Sequence, residues 1–316
     1  SMKKLITGVL GLVASVAVVS GAVAADKEIA VIVKTTNSNF WQNVNKGAQS
    51  AVSALDGYEI TFQGPASEAA VADEVNMVQN AINRKVAGIV LAPSDPEALI
   101  PVAKSAYENG IPLVIIDSKL AEAGEDYYQA FLSTDNKKAG ELAAQLMIDK
   151  IGTSGKVAVM SYVAGVGSEI GRVGGFIDYI KANSDIEIVG PFYSQAQMAT
   201  ALNQTTDVLA ANPDLKGIYG ANEPTAIGMA RAIAQAGKSG QITAIGFDGN
   251  KDLQDFVRDG TLEAIAVQGS FQMGELGVNA AVLVAEGGSV EKFIDTGVVF
   301  VNKENIDTSK AKNVLY

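Results

Sequence analysis

Polar and aromatic side chains recur in this 316-residue sequence directly after short apolar runs. The residues in question are Ser38, Asn39, Phe40, Trp41, Asp117, Ser118, Asn222, Asp248 and Gln268. Carboxylates accept hydrogen bonds from hydroxyl groups, amides both donate and accept, and aromatic faces cover apolar C–H groups. Such a set suits a neutral, polyhydroxylated ligand, and it contains no nucleophile paired with a base.

Each of these positions also has a purely structural explanation. Asp117 and Asp248 could cap the helices that follow them, and Phe40 and Trp41 could be ordinary core residues at the start of a helix. Asn222 precedes Glu223-Pro224, and an asparagine in that position is a good helix N-cap whether or not a ligand binds. Both explanations stay open for these residues at the level of sequence.

Composition excludes several function classes. The chain has no histidine and no cysteine, which removes the commonest metal ligands, thiol nucleophiles and the commonest general base. This argues strongly against a zinc site and weakly against an enzyme, and we expect no cofactor. The formal net charge of −11 makes a nucleic acid an improbable partner, because a polyanion is bound through lysine and arginine.

Short β-branched runs alternate with helical periods along the chain, which predicts parallel sheets covered by helices. The predicted strands are Glu28–Val33, Tyr58–Phe62, Gly88–Ala92 and Leu113–Ile116, and then Lys156–Ser161, Ile186–Phe192, Gly217–Gly220 and Ile242–Phe247. The predicted helices include one that opens at Asp95-Pro96 and others at Ile170–Ala182, Thr200–Ala211 and Thr225–Ala236. The pattern runs through once and then restarts, so we expect two doubly wound α/β units in tandem.

The two units are expected to meet near Leu132–Asn136. The late segments Leu262–Gln268 and Gly297–Val301 leave room for the chain to cross between the units again, which would make a hinge of several strands. Independent domains on a simple linker are the alternative. In parallel sheets the ligand crevice lies beyond the carboxyl ends of the strands, which is where the polar residues above fall.

The first residues have the order of a secretory signal. Lys3 and Lys4 precede an apolar stretch from Leu5 to Val19, and Ala22-Val23-Ala24 is a small-residue cleavage site. We predict a signal peptide over residues 1–24, with an uncleaved anchoring helix as the alternative.

From Lys27 to about Val301 the chain closely resembles the ribose-binding branch of periplasmic sugar-binding proteins. The motifs that carry the resemblance are Thr36-Asn37-Ser38-Asn39-Phe40-Trp41, Leu91-Ala92-Pro93-Ser94-Asp95, Ile115-Ile116-Asp117, Gly171-Arg172-Val173-Gly174-Gly175-Phe176, Ala221-Asn222-Glu223-Pro224-Thr225-Ala226, Ile245-Gly246-Phe247-Asp248-Gly249 and Ala266-Val267-Gln268. The resemblance implies a type I periplasmic binding protein fold of two Rossmann-like lobes. These would be an N-terminal lobe of residues 25–133 plus 269–297 and a C-terminal lobe of residues 134–268 plus 298–316.

The same resemblance implies a function and a set of roles. Phe40 and Trp41 match aromatics that flank a sugar ring, and Ser38 or Asn39 matches a polar contact in that loop. The matches to sugar-hydroxyl ligands are Asp117, Arg172, Asn222, Asp248 and Gln268. The expected protein is a periplasmic, monomeric sugar carrier for the membrane subunits of an ABC importer.

The chain also departs from the ribose-binding pattern. Ser118 stands where ribose binders carry an arginine, and the aromatic on their second wall falls here near Ala196. A hexose, a sugar alcohol or an amino sugar therefore becomes as plausible a ligand as ribose, the amino sugar because Glu169 and Glu223 could add carboxylates.

Other functions remain in competition at this point. The alternatives are a sensor that feeds a chemoreceptor or sensor kinase, capture of an extracellular signal such as an autoinducer, a periplasmic enzyme, and a LacI-type transcription factor. The segment Gly165-Val166-Gly167 is weakly similar to a phosphate-binding turn, but it lacks the remaining residues of either nucleotide motif.

Overall fold

Two six-stranded β-sheets organise residues 26–316, which are the part of the chain that the computed structural model describes. The predicted signal peptide, residues 1–24, lies outside the described residues. The strands are β1 (Lys27–Ile32), β2 (Tyr58–Gln63), β3 (Gly88–Leu91), β4 (Leu113–Ile116), β5 (Ala130–Ser133), β6 (Lys156–Ser161), β7 (Glu187–Tyr193), β8 (Leu215–Gly220), β9 (Thr243–Phe247), β10 (Ala264–Gln268), β11 (Phe293–Asp295) and β12 (Val298–Val301). The helices are α1 (Asn39–Ser53), α2 (Val71–Asn83), α3 (Ile100–Glu108), α4 (Asn136–Ile151), α5 (Gly167–Asn183), α6 (Met198–Ala211), α7 (Glu223–Gln235), α8 (Lys251–Asp259), α9 (Ser270–Ala285) and α10 (Ser309–Lys312).

The two sheets have the same topology. The first has the spatial order β2-β1-β3-β4-β5-β11, and the second has the order β7-β6-β8-β9-β10-β12. All neighbouring strands are parallel except β10 and β12, which pair antiparallel. In this order the chain reverses direction across the sheet between β1 and β3, and again between β6 and β8. Such a reversal opens a crevice at the carboxyl ends of the strands, where ligands bind in doubly wound folds.

The strands are buried on both faces, which explains their nearly continuous apolar sequences. Along β1, Ile29 and Val31 contribute to the apolar cluster on one side of the first sheet, whereas Ala30 and Ile32 contribute to the cluster on the other side. Successive side chains of a strand point to opposite faces, so a run of this kind fills two cores at once. The second sheet is covered in the same way on both of its faces.

Helix α9 packs against α1 of the first lobe, although it follows β10 of the second sheet. Glycines allow this close approach: a Cβ atom on Gly47 would lie 2.0 Å from the carbonyl oxygen of Phe271, and one on Gly274 would lie 2.0 Å from that of Val44. The helix is therefore part of the first lobe, and the chain has crossed back to it.

Within residues 26–316 the chain passes between the sheets three times, after β5, after β10 and after β11. The crossings are hydrogen-bonded to one another, because the hydroxyl of Thr134 donates to Oε1 of Gln268 (3.0 Å) and to the carbonyl oxygen of Gly297 (3.4 Å). The predicted fold class, two doubly wound lobes joined by a hinge of several strands, is confirmed. No helix among residues 26–316 has both the length and the apolar character needed to cross a bilayer.

Some local expectations were wrong. The helix expected at Asp95-Pro96 begins at Ile100 instead. The carboxylate of Asp95 accepts from the backbone N–H groups of Glu97 and Ala98, both at 2.8 Å, and so caps a separate turn ahead of the helix. The region expected to lie beyond the last strand of the first unit contains a further strand, β5.

Candidate functional site

A cavity of about 290 Å³ lies between the lobes, at the carboxyl ends of both sheets. Only about 20 Å³ of this space can hold the centre of a water-sized molecule, so the two lobes are closed tightly around the site. Both lobes supply its walls, and most of the lining side chains are polar. The lining residues are Lys34, Ser38, Phe40, Trp41, Glu68, Asp117, Tyr162, Ser168, Arg172, Asn222, Glu223, Pro224, Asp248 and Gln268.

A larger and more open groove, about 1240 Å³, lies at the opposite end of the first sheet, near Lys27 and Tyr58. Its walls come from the first lobe alone, and it lies at the amino ends of the strands. Ligands of doubly wound sheets bind at the carboxyl ends. The smaller cavity, where polar groups from both lobes converge, is therefore the candidate site.

A buried ion pair forms the first-lobe wall. The ammonium group of Lys34, two residues beyond β1, lies 2.8 Å from Oδ2 of Asp117, which follows β4. The two side chains are 2% and 5% exposed. Ser118 completes the group: its hydroxyl donates to Asp117 Oδ2 (2.9 Å) and accepts from Lys34 Nζ (2.6 Å). Lys34 therefore provides a cation on this wall, where Ser118 stands in place of the arginine of the ribose-binding pattern.

The two aspartates have equivalent positions in the two lobes. Asp117 follows β4 and Asp248 follows β9, and both have left-handed backbone conformations, with φ of 66° and 78°. This conformation is unfavourable for residues other than glycine and tends to occur at functional sites. Asp117 donates its N–H to the carbonyl of Leu132, and Asp248 donates its own to Ala266. The backbone thus holds both carboxylates at the carboxyl ends of the strands of their sheets.

Asp248 is fixed from two directions. Its Oδ1 accepts from Nε2 of Gln268 (2.7 Å), and its Oδ2 accepts from the backbone N–H of Glu223 (2.9 Å). Burial raises the pKa of the Asp248 carboxyl to about 6, and the nearby Arg172 guanidinium opposes that rise. At neutral pH the group is therefore still an acceptor for ligand hydroxyls. Neither aspartate caps the helix that follows it: Asn250, not Asp248, caps α8.

Arg172 is fully buried at the second-lobe wall, so it is not part of a surface ion pair. Its guanidinium stacks 3.9 Å from the ring centroid of Phe247. It donates to Asn136 Oδ1, Ala221 O and Gln268 Oε1. These contacts use four of its five N–H groups, which leaves one on Nη1 for the cavity. All of these hydrogen-bond partners are neutral oxygens, and the carboxylate of Asp248 lies near enough to interact with the positive charge.

Phe40 and Trp41 form the apolar wall. Both are buried at the start of α1, and their rings meet edge to face at 4.7 Å and 88°. Trp41 donates through Nε1 to Oε2 of Glu68 (3.3 Å), whose pKa is raised by burial. The two aromatics are core residues of the first lobe and line the cavity as well.

Asn222 and Ser38 each have a structural role beside their place in the cavity. Asn222 Oδ1 caps α7 by accepting from Thr225 N–H (3.2 Å), and its amide nitrogen is left for the cavity. Ser38 caps α1. Two other predicted site residues are placed elsewhere: Asn39 is exposed and lies outside the lining, and Ser118 is completely buried behind Asp117.

Glu223 lies at the rim where the lobes meet. Its Oε1 accepts from the N–H of Phe40 in the other lobe (3.3 Å), and its Oε2 accepts from the hydroxyl of Tyr316. Burial and the neighbouring Asp248 raise the pKa of Glu223 to about 8. The lobes are thus in contact across the cleft, and the polar lining is shielded from solvent.

Sequence reasoning missed several lining residues, namely Lys34, Glu68, Tyr162 and Ser168. Lys34 carried a usable signal, because it is a charged residue at the end of an otherwise buried strand and such a charge requires a partner. Glu68 lies on the loop between β2 and α2, and Ser168 lies at the start of α5. The position of each relative to the cavity depends on how these elements pack. Glu169, considered as a carboxylate for an amino sugar, instead accepts from Ser161 and Gly165 and does not line the cavity.

No group of three or more potential metal-ligating side chains is placed to hold a metal ion in the part of the chain that the structure describes. The cavity is instead a set of hydrogen-bond donors and acceptors beside two aromatic rings. It can bind hydroxyl groups on several sides of a ring and cover one apolar face.

Comparison with known proteins agrees with this chemistry. Residues 29–289 match the family model described as periplasmic binding protein domain. The D-allose-binding periplasmic protein of Escherichia coli is 33% identical over 273 residues, which cover 84% of this chain and 87% of the relative. The ribose import binding protein of E. coli is 30% identical over 92% of this chain and 95% of its own.

Solved structures give the same result. An ABC transporter solute-binding protein from Agrobacterium vitis with bound D-fucose superposes with a TM-score of 0.91 at 71% identity, and the match covers 92% of this chain and 100% of that one. A solute-binding protein from Agrobacterium radiobacter in complex with D-arabinose superposes with a TM-score of 0.88 at 31% identity. The chain belongs to the periplasmic binding protein family, and it is a sugar-binding protein of the ABC-importer type.

Proposed function

We propose that the cavity binds a neutral hexose in its ring form, most specifically a 6-deoxyhexose such as D-fucose. The observation that carries this proposal is the presence of opposite charges on each wall. Asp117 forms an ion pair with Lys34 on one wall, and on the other the Arg172 guanidinium is near enough to Asp248 to oppose the rise of its pKa. Each wall therefore offers both donors and acceptors to hydroxyl groups, and each charged group already has a compensating neighbour.

This balance argues against an amino sugar. Two further carboxyls line the cavity. Burial raises the pKa of Glu223 to about 8, which favours its neutral form at neutral pH, and burial raises the pKa of Glu68 as well. A ligand ammonium would meet Lys34 and Arg172, while Asp117 is already paired with Lys34 and Asp248 already has Arg172 beside it. Burying an uncompensated charge is costly, so a neutral ligand is preferred.

An apolar ring face and a methyl group suit the remaining wall. Phe40 and Trp41 present two ring surfaces at right angles, which can cover C–H groups on two sides of a ligand. D-fucose carries a methyl group where other hexoses carry a hydroxymethyl group. The D-fucose bound by the Agrobacterium vitis protein, which is 71% identical to this chain, supports the same substrate class.

Transport would follow from lobe closure. We propose that residues 25–133 plus 269–297 and residues 134–268 plus 298–316 move as two bodies about the three crossings, and that the ligand-bound closed form is delivered to the membrane subunits of an ABC importer in the periplasm. The ligand stabilises the closed form because only that form brings both walls to it. The protein is inferred to act as a monomer that releases its ligand unchanged.

Calorimetric titration tests the ligand assignment. We expect D-fucose to bind with micromolar or tighter affinity, about −8 kcal/mol. D-galactose and D-ribose should bind more weakly, and D-galactosamine more weakly than D-galactose because of its ammonium group. A protein that binds none of the neutral sugars, or that prefers the amino sugar, would contradict the proposal. Light scattering with and without sugar tests the monomer, and recovery of unchanged sugar by NMR tests the lack of turnover.

A further inference from the structure

One contact between the lobes joins Ser168, which lines the cavity, to Ser118, which lies behind it. Helix α5 of the second lobe begins at Gly167, and its first turn meets the loop after β4 of the first lobe. There the backbone N–H of Ser168 donates to the hydroxyl of Ser118 at 3.2 Å. Both residues are buried.

The hydroxyl of Ser118 has no capacity left for a ligand. It donates to Asp117, and it accepts from Lys34 and from Ser168. A hydroxyl group has one donor hydrogen and two acceptor lone pairs, so these contacts use all of them. Ser118 also lies outside the residues that line the cavity. Its partners Asp117 and Lys34, in contrast, do line it.

Gly167 fits this contact because it has no side chain. A Cβ atom at this position would lie 2.8 Å from both the backbone nitrogen and the backbone oxygen of Lys119, and 3.4 Å from the carbonyl carbon of Ser118. Backbone atoms cannot move aside as a side chain can. Any larger residue at position 167 would therefore hold the two lobes apart.

We propose that Ser118 is a closure residue, which joins the Lys34–Asp117 pair to the start of α5 when the lobes close and does not itself contact the ligand. This role depends on the proposed sugar binding in one respect: a ligand must bind between the lobes and close them. Gly167, the last residue of the segment that is weakly similar to a phosphate-binding turn, is then the point at which the first lobe docks.

The contact has the property that a closure residue requires. Ser118, Asp117 and Lys34 belong to the same lobe and remain together when the lobes separate, whereas the Ser168 hydrogen bond joins different lobes. Of the three hydrogen bonds of the Ser118 hydroxyl, only the one from Ser168 is gained on closure, so it favours the closed form over the open form. A ligand that contacts Asp117 and Lys34 also fixes the orientation of the hydroxyl that receives Ser168.

Two substitutions test the contact by different physical routes. Ser118→Ala removes the acceptor and leaves the buried Ser168 N–H unpaired, which we expect to weaken sugar binding about tenfold. Gly167→Ala keeps the hydrogen-bonding groups but adds the obstructing methyl, and we expect a loss of roughly tenfold to a hundredfold. Gly174→Ala is the matched control, since it lies in the same helix and a Cβ atom there meets nothing within 4 Å.

The measurements are calorimetric affinities for D-fucose and D-galactose, and the sugar dissociation rate followed by the fluorescence of Trp41, the only tryptophan in the chain. We expect both variants to dissociate faster, to keep the wild-type ratio of the two affinities and, without sugar, to melt close to the wild type. Gly174→Ala should bind like the wild type. Wild-type protein that binds neither sugar would count against the proposed ligand. The closure role would be overturned if both variants bound sugar with the affinity and dissociation rate of the wild type. It would also be overturned if Ser118→Ala alone changed the ratio of the affinities for D-fucose and D-galactose.

Discussion

Replacing Lys34 with methionine tests how far the ligand-bound form depends on the buried ion pair with Asp117. Methionine keeps most of the side-chain volume and removes the charge. The two charged atoms lie 2.8 Å apart and both side chains are at most 5% exposed, so water cannot replace the lost partner in the closed protein. When the lobes separate, the same carboxylate faces the open cleft and is hydrated. The cost therefore falls mainly on the closed form, and it appears as a loss of sugar affinity.

The magnitude follows from the burial of the pair. Removing one partner of a buried ion pair costs about 3–5 kcal/mol, because the other charge is left uncompensated. Part of this cost is already present in the open form, so we expect the lower end, about 3 kcal/mol. That corresponds to an affinity roughly 150-fold weaker. Loss of the Lys34 hydrogen bond to Ser118 acts in the same direction.

A second ion pair provides the control. Lys150 and Glu263 are also 2.8 Å apart, but their side chains are 47% and 40% exposed. Exposed pairs contribute about 0–1 kcal/mol, so Lys150→Met should bind sugar like the wild type. Both variants are compared by calorimetric titration with D-fucose and by thermal unfolding without sugar. If Lys34→Met weakens binding less than threefold, or if the two variants weaken it equally, the assignment of the pair to the closed site is wrong.

Three further substitutions address other parts of the site and the first lobe. Arg172→Ala should abolish most of the measurable sugar affinity because it removes the buried cation of the second wall; a folded variant that titrates like the wild type would contradict its role. Glu74→Gln tests the pH dependence of stability: burial raises the pKa of Glu74 to about 8, its Oε1 accepts from Ser94, and its Oε2 has no partner among the described residues. Because the folded-state pKa lies above the unfolded value, the contribution of this group to stability is complete below pH 4.5 and is lost progressively up to pH 8. The variant should therefore melt like the wild type at pH 5 and be more stable than the wild type by about 3 kcal/mol at pH 7. A difference in stability between the variant and the wild type that stays constant from pH 5 to 8 would refute this. Within the second lobe, the Tyr316 hydroxyl donates to Glu223, which in turn accepts from the Phe40 N–H of the first lobe. Tyr316→Phe removes that hydroxyl and should weaken sugar binding about fivefold, as expected for one hydrogen bond, while unchanged affinity in a titration would show that Tyr316 does not support the contact between Glu223 and Phe40.

Three residues of the second-lobe wall were predictable from their place in the sequence, since Asn222, Asp248 and Gln268 directly follow apolar runs. The carboxyl ends of parallel strands meet at one edge of a sheet, so residues that are far apart in the chain are brought together by topology alone. Arg172 was found only through the family motif, because it lies on a helix and no strand end marks it. The structure places all four at the cavity, and their contact with a ligand stays a prediction that the substitutions above would test.

The first-lobe wall shows where sequence reasoning stops. Asp117 and Ser118 are neighbours and were both predicted to contact the ligand, but Ser118 is buried behind Asp117 and does not line the cavity. Its hydroxyl meets helix α5, more than forty positions further along the chain. Lys34 was missed for a related reason: its partner Asp117 is 83 positions away and follows β4, which lies two strands from β1 in the sheet.

The strand–helix alternation and the restart of that pattern predict two doubly wound lobes from the sequence, because periodic burial is a local property of the chain. The function of a sugar carrier was implied by the family resemblance that the ordered motifs carry. The identity of the polar residues that share the cavity, and of those that hold the lobes together, became known from the three-dimensional structure. These roles depend on contacts across the cleft and across the sheet, where burial and charge compensation are fixed by packing that no local pattern records.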